Sequence, residues 1–247
     1  MNVVFLGSTR GIGRALARRL AARGDRLVLL GRDEAELTRS ARDLEARTGT
    51  PEGSVAVAAC DLLEPESFAP AFDLAAEALG RIDAVVVTAG QFARQDELER
   101  DPILARRVLE ADFSGTVLFC EEARRRLLAA GGGTLCVLSS VAGERGRKPV
   151  VLYGAAKAGL TRYLEGLDHR FHGQGLKVVC VKPGFVRTSM TAGLPEPPFA
   201  GEPEEVARRI ERALDRGTPV VYAPGAWRWV MAVVRALPRF VMRRVGF

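Results

Sequence analysis

Val3-Val4-Phe5-Leu6-Gly7-Ser8-Thr9-Arg10-Gly11-Ile12-Gly13-Arg14-Ala15-Leu16 stands almost at the start of the chain. Four apolar residues run into a glycine-rich turn, and an amphipathic helical pattern follows at once. A short, wholly apolar run bounded by glycine reads as a strand buried on both faces. Glycines at positions 7, 11 and 13 permit a tight turn and a close backbone approach by a pyrophosphate, which then meets the unpaired N–H groups of a helix N-terminus. The spacing is GxxxGxG, whereas the usual dinucleotide turn is GxGxxG, so a plain strand–helix connection is the competing reading. The surrounding pattern decides between them.

Outward from this turn the same unit repeats. Apolar runs at residues 3–6, 27–30, 55–59, 84–87, 134–138, 178–181 and 220–222 alternate with helical stretches at 12–23, 34–47, 65–79, 103–130, 153–171 and 203–216. Strands separated by helices predict right-handed βαβ units and a doubly wound parallel sheet, an α/β architecture of Rossmann type covered on both faces. Residues 1–225 read as one dinucleotide-binding domain, with a Pro-rich loop near 189–203 on the substrate side, a length typical of lids. Residues 226–247 form a basic, aromatic, amphipathic tail.

A chain of 247 residues that is 47% apolar and 27% charged buries one sizeable core, which excludes a disordered protein. The net charge of +6 comes from 36 Lys and Arg against 30 Asp and Glu. From Arg216 onward there are six arginines and no acid, so the tail carries the whole excess and the body is balanced. That distribution argues against a nucleic-acid-binding body. Cys60, Cys120, Cys136 and Cys180 form no CxxC pair and mostly sit in apolar runs, as buried free thiols of a reducing compartment do. Met1 leads straight into a strand and no stretch reads as a membrane span, so a cytoplasmic protein is expected. His169 and His172 lack a third candidate ligand, and no metal is expected.

The second strand ends Leu30-Gly31-Arg32. An acidic residue there would hold the ribose 2′-hydroxyl of NAD(H), but Gly31 offers no carboxylate. Arg32 and Arg10 could instead pair with the 2′-phosphate of NADP(H), which makes NADP(H) the expected cofactor and NAD(H) the lesser one. Tyr153 and Lys157 lie four apart at a helix start and share a face. An ammonium one turn from a phenol favours the phenolate, which makes Tyr153 a candidate acid/base. YxxxK alone is a common surface coincidence. Ser139-Ser140 at the end of a strand, facing the ligand crevice of such a sheet, supplies a hydroxyl for a substrate oxygen and raises its meaning.

This assembly resembles the short-chain dehydrogenase/reductase family. The resemblance is carried by GSTRGIG (7–13), Asp61, TAG (88–90), SSVAG (139–143), YGAAKAGL (153–160) and VKPGFVRT (181–188), in the family's order and over nearly the whole chain. It implies that Tyr153 is the acid/base, that Ser140 polarises the substrate oxygen, and that Lys157 lowers the tyrosine pKa and holds the nicotinamide ribose. It further implies a cofactor site of Gly7, Thr9, Arg10, Gly11, Ile12, Gly13, Arg32, Asp61, Leu62, Ala89 and Gly90, joined by Tyr153, Lys157, Pro183, Gly184 and Thr188. A homo-dimer or homo-tetramer is the family's common assembly.

Two departures stand out. Thr88 replaces the Asn of the family's NAG, which bears on the stability of the sheet more than on chemistry. Asp112 replaces the Asn of the long fourth helix, where the family supports a water relay to the lysine. A carboxylate there favours a protonated Lys157 and a costlier phenolate, so activity is expected at higher pH.

The tail reads in two ways: packed on protein, or as an interfacial anchor with Trp227, Trp229, Met231 and Phe240 toward a membrane and arginines toward anionic headgroups. Residues 138–247, notably 139–160, 181–194 and 222–244, are also similar to the reductases of decaprenylphosphoryl 2-keto-pentoses in actinobacterial cell-wall synthesis. That similarity implies a lipid-linked keto-sugar substrate and a location at the inner face of the membrane. Reduction of soluble ketones or 3-oxoacyl chains remains open. So does a non-catalytic NADP(H) sensor, although a sensor is expected to lose the acid/base tyrosine and this chain keeps it.

Overall fold

In the computed structural model, which describes residues 1–246, strand β1 (Asn2–Leu6) is an interior strand of the sheet. Around it lie β2 (Arg26–Gly31), β3 (Ala56–Ala59), β4 (Ala84–Val87), β5 (Gly133–Leu138), β6 (Leu176–Pro183) and β7 (Val220–Ala223). The seven strands pair in the order β3-β2-β1-β4-β5-β6-β7, all parallel, with Val4 opposite Val28 on one side and Val85 on the other. The chain moves outward in one direction from β1 to β3 and in the other from β4 to β7. The crevice that binds ligands in such sheets opens where those directions part, at the C-terminal ends of β1 and β4.

Alternation along each strand feeds two cores. Val4, Leu6, Val28, Leu30, Val85 and Val87 pack on α3 (Phe68–Leu79), α6 (Gly115–Ala129) and α7 (Val151–Phe171). Phe119 is the centre of that layer, edge-on to Phe68 at 5.4 Å and tilted against Phe72 at 5.1 Å. Val3, Phe5, Leu27, Leu29 and Val86 face α1 (Gly11–Ala22), α2 (Glu34–Thr48) and α8 (Pro203–Arg216). The four cysteines are buried and free.

Helix limits follow local chemistry. Asp33 caps α2 by accepting from the Glu36 amide at 3.0 Å, and Gly49 ends it in the left-handed region at φ 68°. Two helices depart from the expected outline. The stretch at 65–79 opens with a tight turn at Pro65–Ser67 before α3. The single helix expected at 103–130 is α5 (Pro102–Leu109), a wide π-turn at Glu110–Ser114, and then α6. A Cβ on Gly115 would stand 1.9 Å from the Leu62 carbonyl oxygen, so only glycine lets the rod pass here. Helix α4 (Gln95–Arg100) was not expected; its six residues are too few for a periodic signal.

The tail forms α9 (Trp227–Ala236) and α10 (Arg239–Met242). Trp227, Met231 and Val234 recur at helical spacing and pack with Val141 in a third cluster. The indole of Trp227 donates to the Phe199 carbonyl at 3.0 Å. Trp227 and Met231 therefore face protein, which corrects the reading that placed them toward a membrane. Trp229, Val233 and Phe240 face outward, 73%, 64% and 60% exposed. Among the described residues no helix is long and apolar enough to cross a membrane.

Candidate active site

The glycine turn is closed by contacts that forbid side chains. Gly7 adopts φ 95°, and a Cβ there would lie 2.4 Å from the Ala89 amide nitrogen. A Cβ on Gly13 would lie 2.1 Å from the Gly7 carbonyl oxygen. Thr88 Oγ1 donates to that same oxygen at 2.8 Å, so the residue standing in place of the family's Asn ties β4 to the turn. Arg14, which the sequence did not single out, steadies the turn from α1 through a 2.7 Å bond to the Thr9 carbonyl.

Whether this turn fits a dinucleotide is answered by what it leaves open. Arg10 precedes α1 without capping it, and the first turn holds no acid, so no carboxylate competes for the N–H groups of Gly11, Ile12 and Gly13. The Ser8 hydroxyl is buried there without a partner. Thr188, beyond β6, folds over the turn, its methyl 3.1 Å from where a Gly11 Cβ would stand. These are the properties of a pyrophosphate cradle.

Arg32, just after β2, and Arg10, just before α1, are both exposed. The neighbouring Asp33 caps α2 through its Oδ1. After β3, Asp61 Oδ1 accepts from the Leu63 amide at 3.0 Å, and the buried Leu62 backs its carbonyl against Gly115. At the end of β6, Pro183 is buried and Gly184 donates to the Ala223 carbonyl at 3.0 Å. Thus the residues expected to hold the cofactor lie along the C-terminal ends of β1, β2, β3, β4 and β6.

The catalytic candidates converge at β5 and α7. Ser139, offered with Ser140 as a hydroxyl for the substrate, instead bonds the Lys157 carbonyl at 3.0 Å and the Thr161 hydroxyl at 2.7 Å, pinning α7 to the strand end. Ser140 Oγ accepts from the Ala142 amide at 3.1 Å. Tyr153 is half-buried, with Phe92 edge-on at 5.2 Å. The Lys157 ammonium lies 5.6 Å from the centre of the Tyr153 ring and donates to Asp112 Oδ1 at 3.2 Å. Asp112 comes from the π-turn and is wholly buried; its Oδ1 also accepts from the Gln91 amide at 3.0 Å, while Oδ2 has no protein partner. A Cβ on Gly90 would stand 2.7 Å from Asp112 Oδ1 and 3.4 Å from Lys157 Nζ, so this glycine makes room for the pair.

Burial pushes the Tyr153 phenol above its ordinary pKa; Lys157 and the Ser140 hydroxyl pull down, and Asp112 pushes up. Lys157 lowers the phenol as expected, but desolvation outweighs it. Burial works against the Lys157 charge, yet Asp112 and Tyr153 hold the ammonium above its ordinary range. Burial also lifts the Asp112 carboxyl, with Lys157 opposing.

A second buried group adjoins the site and escaped the sequence. Glu144 Oε1 accepts from Lys182 Nζ at 2.7 Å and from the Tyr222 hydroxyl at 2.5 Å, and Arg235 of α9 approaches Oε2 at 3.8 Å. The signal was a charged residue inside the apolar run of β6, directly before Pro183.

The model of the short chain dehydrogenase family matches residues 1–198. The chain belongs to the short-chain dehydrogenase family. An uncharacterised oxidoreductase of Streptomyces coelicolor is 38% identical over 254 residues, covering 99% of this chain and 95% of the relative. Carbonyl reductase family member 4 of Danio rerio is 32% identical over 225 residues, covering 85% and 89%. An actinorhodin polyketide ketoreductase solved with NADPH superposes with a TM-score of 0.79 at 22% identity, covering 90% of this chain and 95% of that one, a likeness of fold. As a short-chain dehydrogenase the protein is an oxidoreductase acting on CH–OH groups.

Proposed function

We propose that this short-chain dehydrogenase reduces a ketone to a secondary alcohol with NADP(H), through Ser140, Tyr153 and Lys157. The observation that carries the reading is the Lys157 ammonium 5.6 Å from the centre of the Tyr153 ring and fixed by the buried Asp112 carboxylate at 3.2 Å. The glycine turn, Asp61, Leu62, Ala89, Gly90, Pro183, Gly184 and Thr188 would hold the dinucleotide. Arg10 and Arg32 would take the 2′-phosphate, supported by the engagement of Asp33 as a cap. The nicotinamide supplies a hydride to the carbonyl carbon when bound. Ser140 and Tyr153 hold the carbonyl oxygen, and Tyr153 gives it the proton as negative charge develops there. Lys157 stabilises the phenolate left behind, and Asp112 keeps Lys157 charged and oriented.

The finer reading is a ketone on a lipid carrier, such as a prenyl phosphoryl 2-keto-pentose, met by a cytoplasmic enzyme at the inner face of a membrane. What supports it is the outer face of α9 and α10, where Trp229, Val233 and Phe240 stand beside the exposed Arg228, Arg239, Arg243 and Arg244. The outward-facing part of the tail would take the anchoring role, while its inner face packs on protein. Soluble ketones are the second reading, supported by the name of the Danio rerio relative. A homo-dimer or homo-tetramer belongs to the same proposal.

The test is NADPH consumption with a short-prenyl phosphoryl 2-keto-pentose and with simple ketones, alongside Tyr153→Phe. Tyr153-dependent turnover of the lipid-linked ketone supports the whole reading. Turnover of simple ketones alone removes the lipid carrier and leaves the reductase.

A further inference from the structure

The segment that joins Ser140 to Tyr153 reads VAGERGRKPVVL and is rich in cations, with Glu144 as its single acid. Each charge in it except two has an evident occupation. Glu144 serves Lys182 and Tyr222. Arg145 reaches the Leu237 carbonyl at 2.7 Å, joining the segment to the end of α9. Lys148 is exposed to solvent. Arg147 differs from all of these: it is half-buried, and its Nε is shut off from solvent without a hydrogen-bond partner.

Among the described residues no carboxylate forms an ion pair with Arg147. A guanidinium stays charged at any physiological pH and carries donors in a rigid fork shaped for carboxylate or phosphate oxygens. Taking such a group from water without a counter-charge is costly, so a purely structural arginine would be expected to pair with a carboxylate or with backbone carbonyls. Burial indeed works against the charge here, with nothing opposing it. The location matters as much as the lack of a partner, because both ends of the segment carry groups assigned to the reacting carbonyl.

We infer that Arg147 recognises an anionic oxygen group, carboxylate or phosphoryl, carried by the ketone substrate. The inference rests on the reductase reading and adds the substrate's charge to it. Arg147 binds the group through charge-assisted hydrogen bonds, while Ser140 and Tyr153 hold the ketone elsewhere on the same molecule. Losing such bonds costs about tenfold to a hundredfold in affinity.

The experiment compares levulinate with its ethyl ester, and dihydroxyacetone phosphate with dihydroxyacetone, as substrates of the NADPH-loaded enzyme. Wild type, Arg147→Met and Arg147→Lys are measured, with NADPH binding as the check on folding. Wild type is expected to favour the anionic member of at least one pair by tenfold or more in kcat/KM, mainly through KM. The preference should collapse toward one in Arg147→Met and return in part in Arg147→Lys. The carboxylate and phosphate arms tell the two sources of charge apart. A wild-type preference near one in both pairs, or one that survives Arg147→Met, overturns the inference while leaving the reductase intact. If no ketone is turned over, the reductase reading fails instead. Calorimetric binding of levulinate and of dihydroxyacetone phosphate to the NADP+ complex then decides the inference: binding lost in Arg147→Met upholds it, and absent or unaltered binding overturns it.

Discussion

Asp112 sets the proton balance of this site. An amide in its place would bond without charge, whereas the carboxylate holds Lys157 protonated and raises the Tyr153 phenol. Removing that charge in Asp112→Asn lowers the phenol pKa. Alcohol oxidation needs the phenolate, so its pH–kcat limb should move to lower pH; reduction needs the phenol and should begin to fail at lower pH. A profile that stays where it was would show that Asp112 does not act through Tyr153. Gly90 is the companion test. A methyl group 2.7 Å from Asp112 Oδ1 must part the pair, so Gly90→Ala should lose about tenfold or more in kcat/KM and move the same pH limb. Tyr153, Lys157 and Ser140 were legible because spacing on one helix and position at a strand end place them. Arg147 and Glu144 were not, because their meaning lies in partners distant in sequence or missing from it.

At the scale of elements, the active-site segments are fastened to one another. The π-turn aims Asp112 inward and belongs to the class of helical irregularity found at functional sites. Its hydrophobic periodicity is that of an ordinary helix, so the sequence showed one long rod. Glu144 joins the loop after β5 to β6, β7 and α9. Glu144→Ala strands the buried Lys182 ammonium, and urea unfolding should show a loss of about 3 kcal/mol. Burial alone would raise the Glu144 carboxyl, but Lys182, the Tyr222 hydroxyl and Arg235 together hold it below its ordinary pKa. Its contribution is therefore full above the unfolded value and is lost as pH falls through the folded one. Wild type should lose more stability on acidification than Glu144→Gln does. Gly184 seats α9, since a Cβ there would stand 2.2 Å from Trp227 Nε1. Gly184→Ala should displace the indole and red-shift the tryptophan fluorescence; an unmoved spectrum would show that α9 is seated by other contacts.

Across the whole molecule, strand order gathers these parts at one end of the sheet. That the sheet is parallel and covered on both faces was legible from alternation, because strands buried on both faces are apolar throughout and parallel pairing requires the helices between them; the strand order is set by packing that the pattern does not show. The tail was harder. Its composition is basic and aromatic on every side, and only packing separates the inward Trp227, Met231 and Val234 from the outward Trp229, Val233 and Phe240. Deleting residues 226–247 would remove core together with surface. Trp229→Ser with Phe240→Ser leaves the packed face in place and should weaken sedimentation with anionic phospholipid vesicles by about tenfold. Sedimentation equal to wild type would remove the membrane from the account.

The central claim is that Tyr153 gives its proton to a ketone oxygen while NADPH supplies the hydride. Ketone-dependent NADPH oxidation by wild type and Tyr153→Phe, each shown to bind NADPH, tests it most directly. The account predicts turnover in wild type and a loss of about 10²- to 10⁴-fold in kcat for the variant, with cofactor binding retained. Equal turnover by both proteins, or NADPH binding without turnover of any ketone, would contradict it.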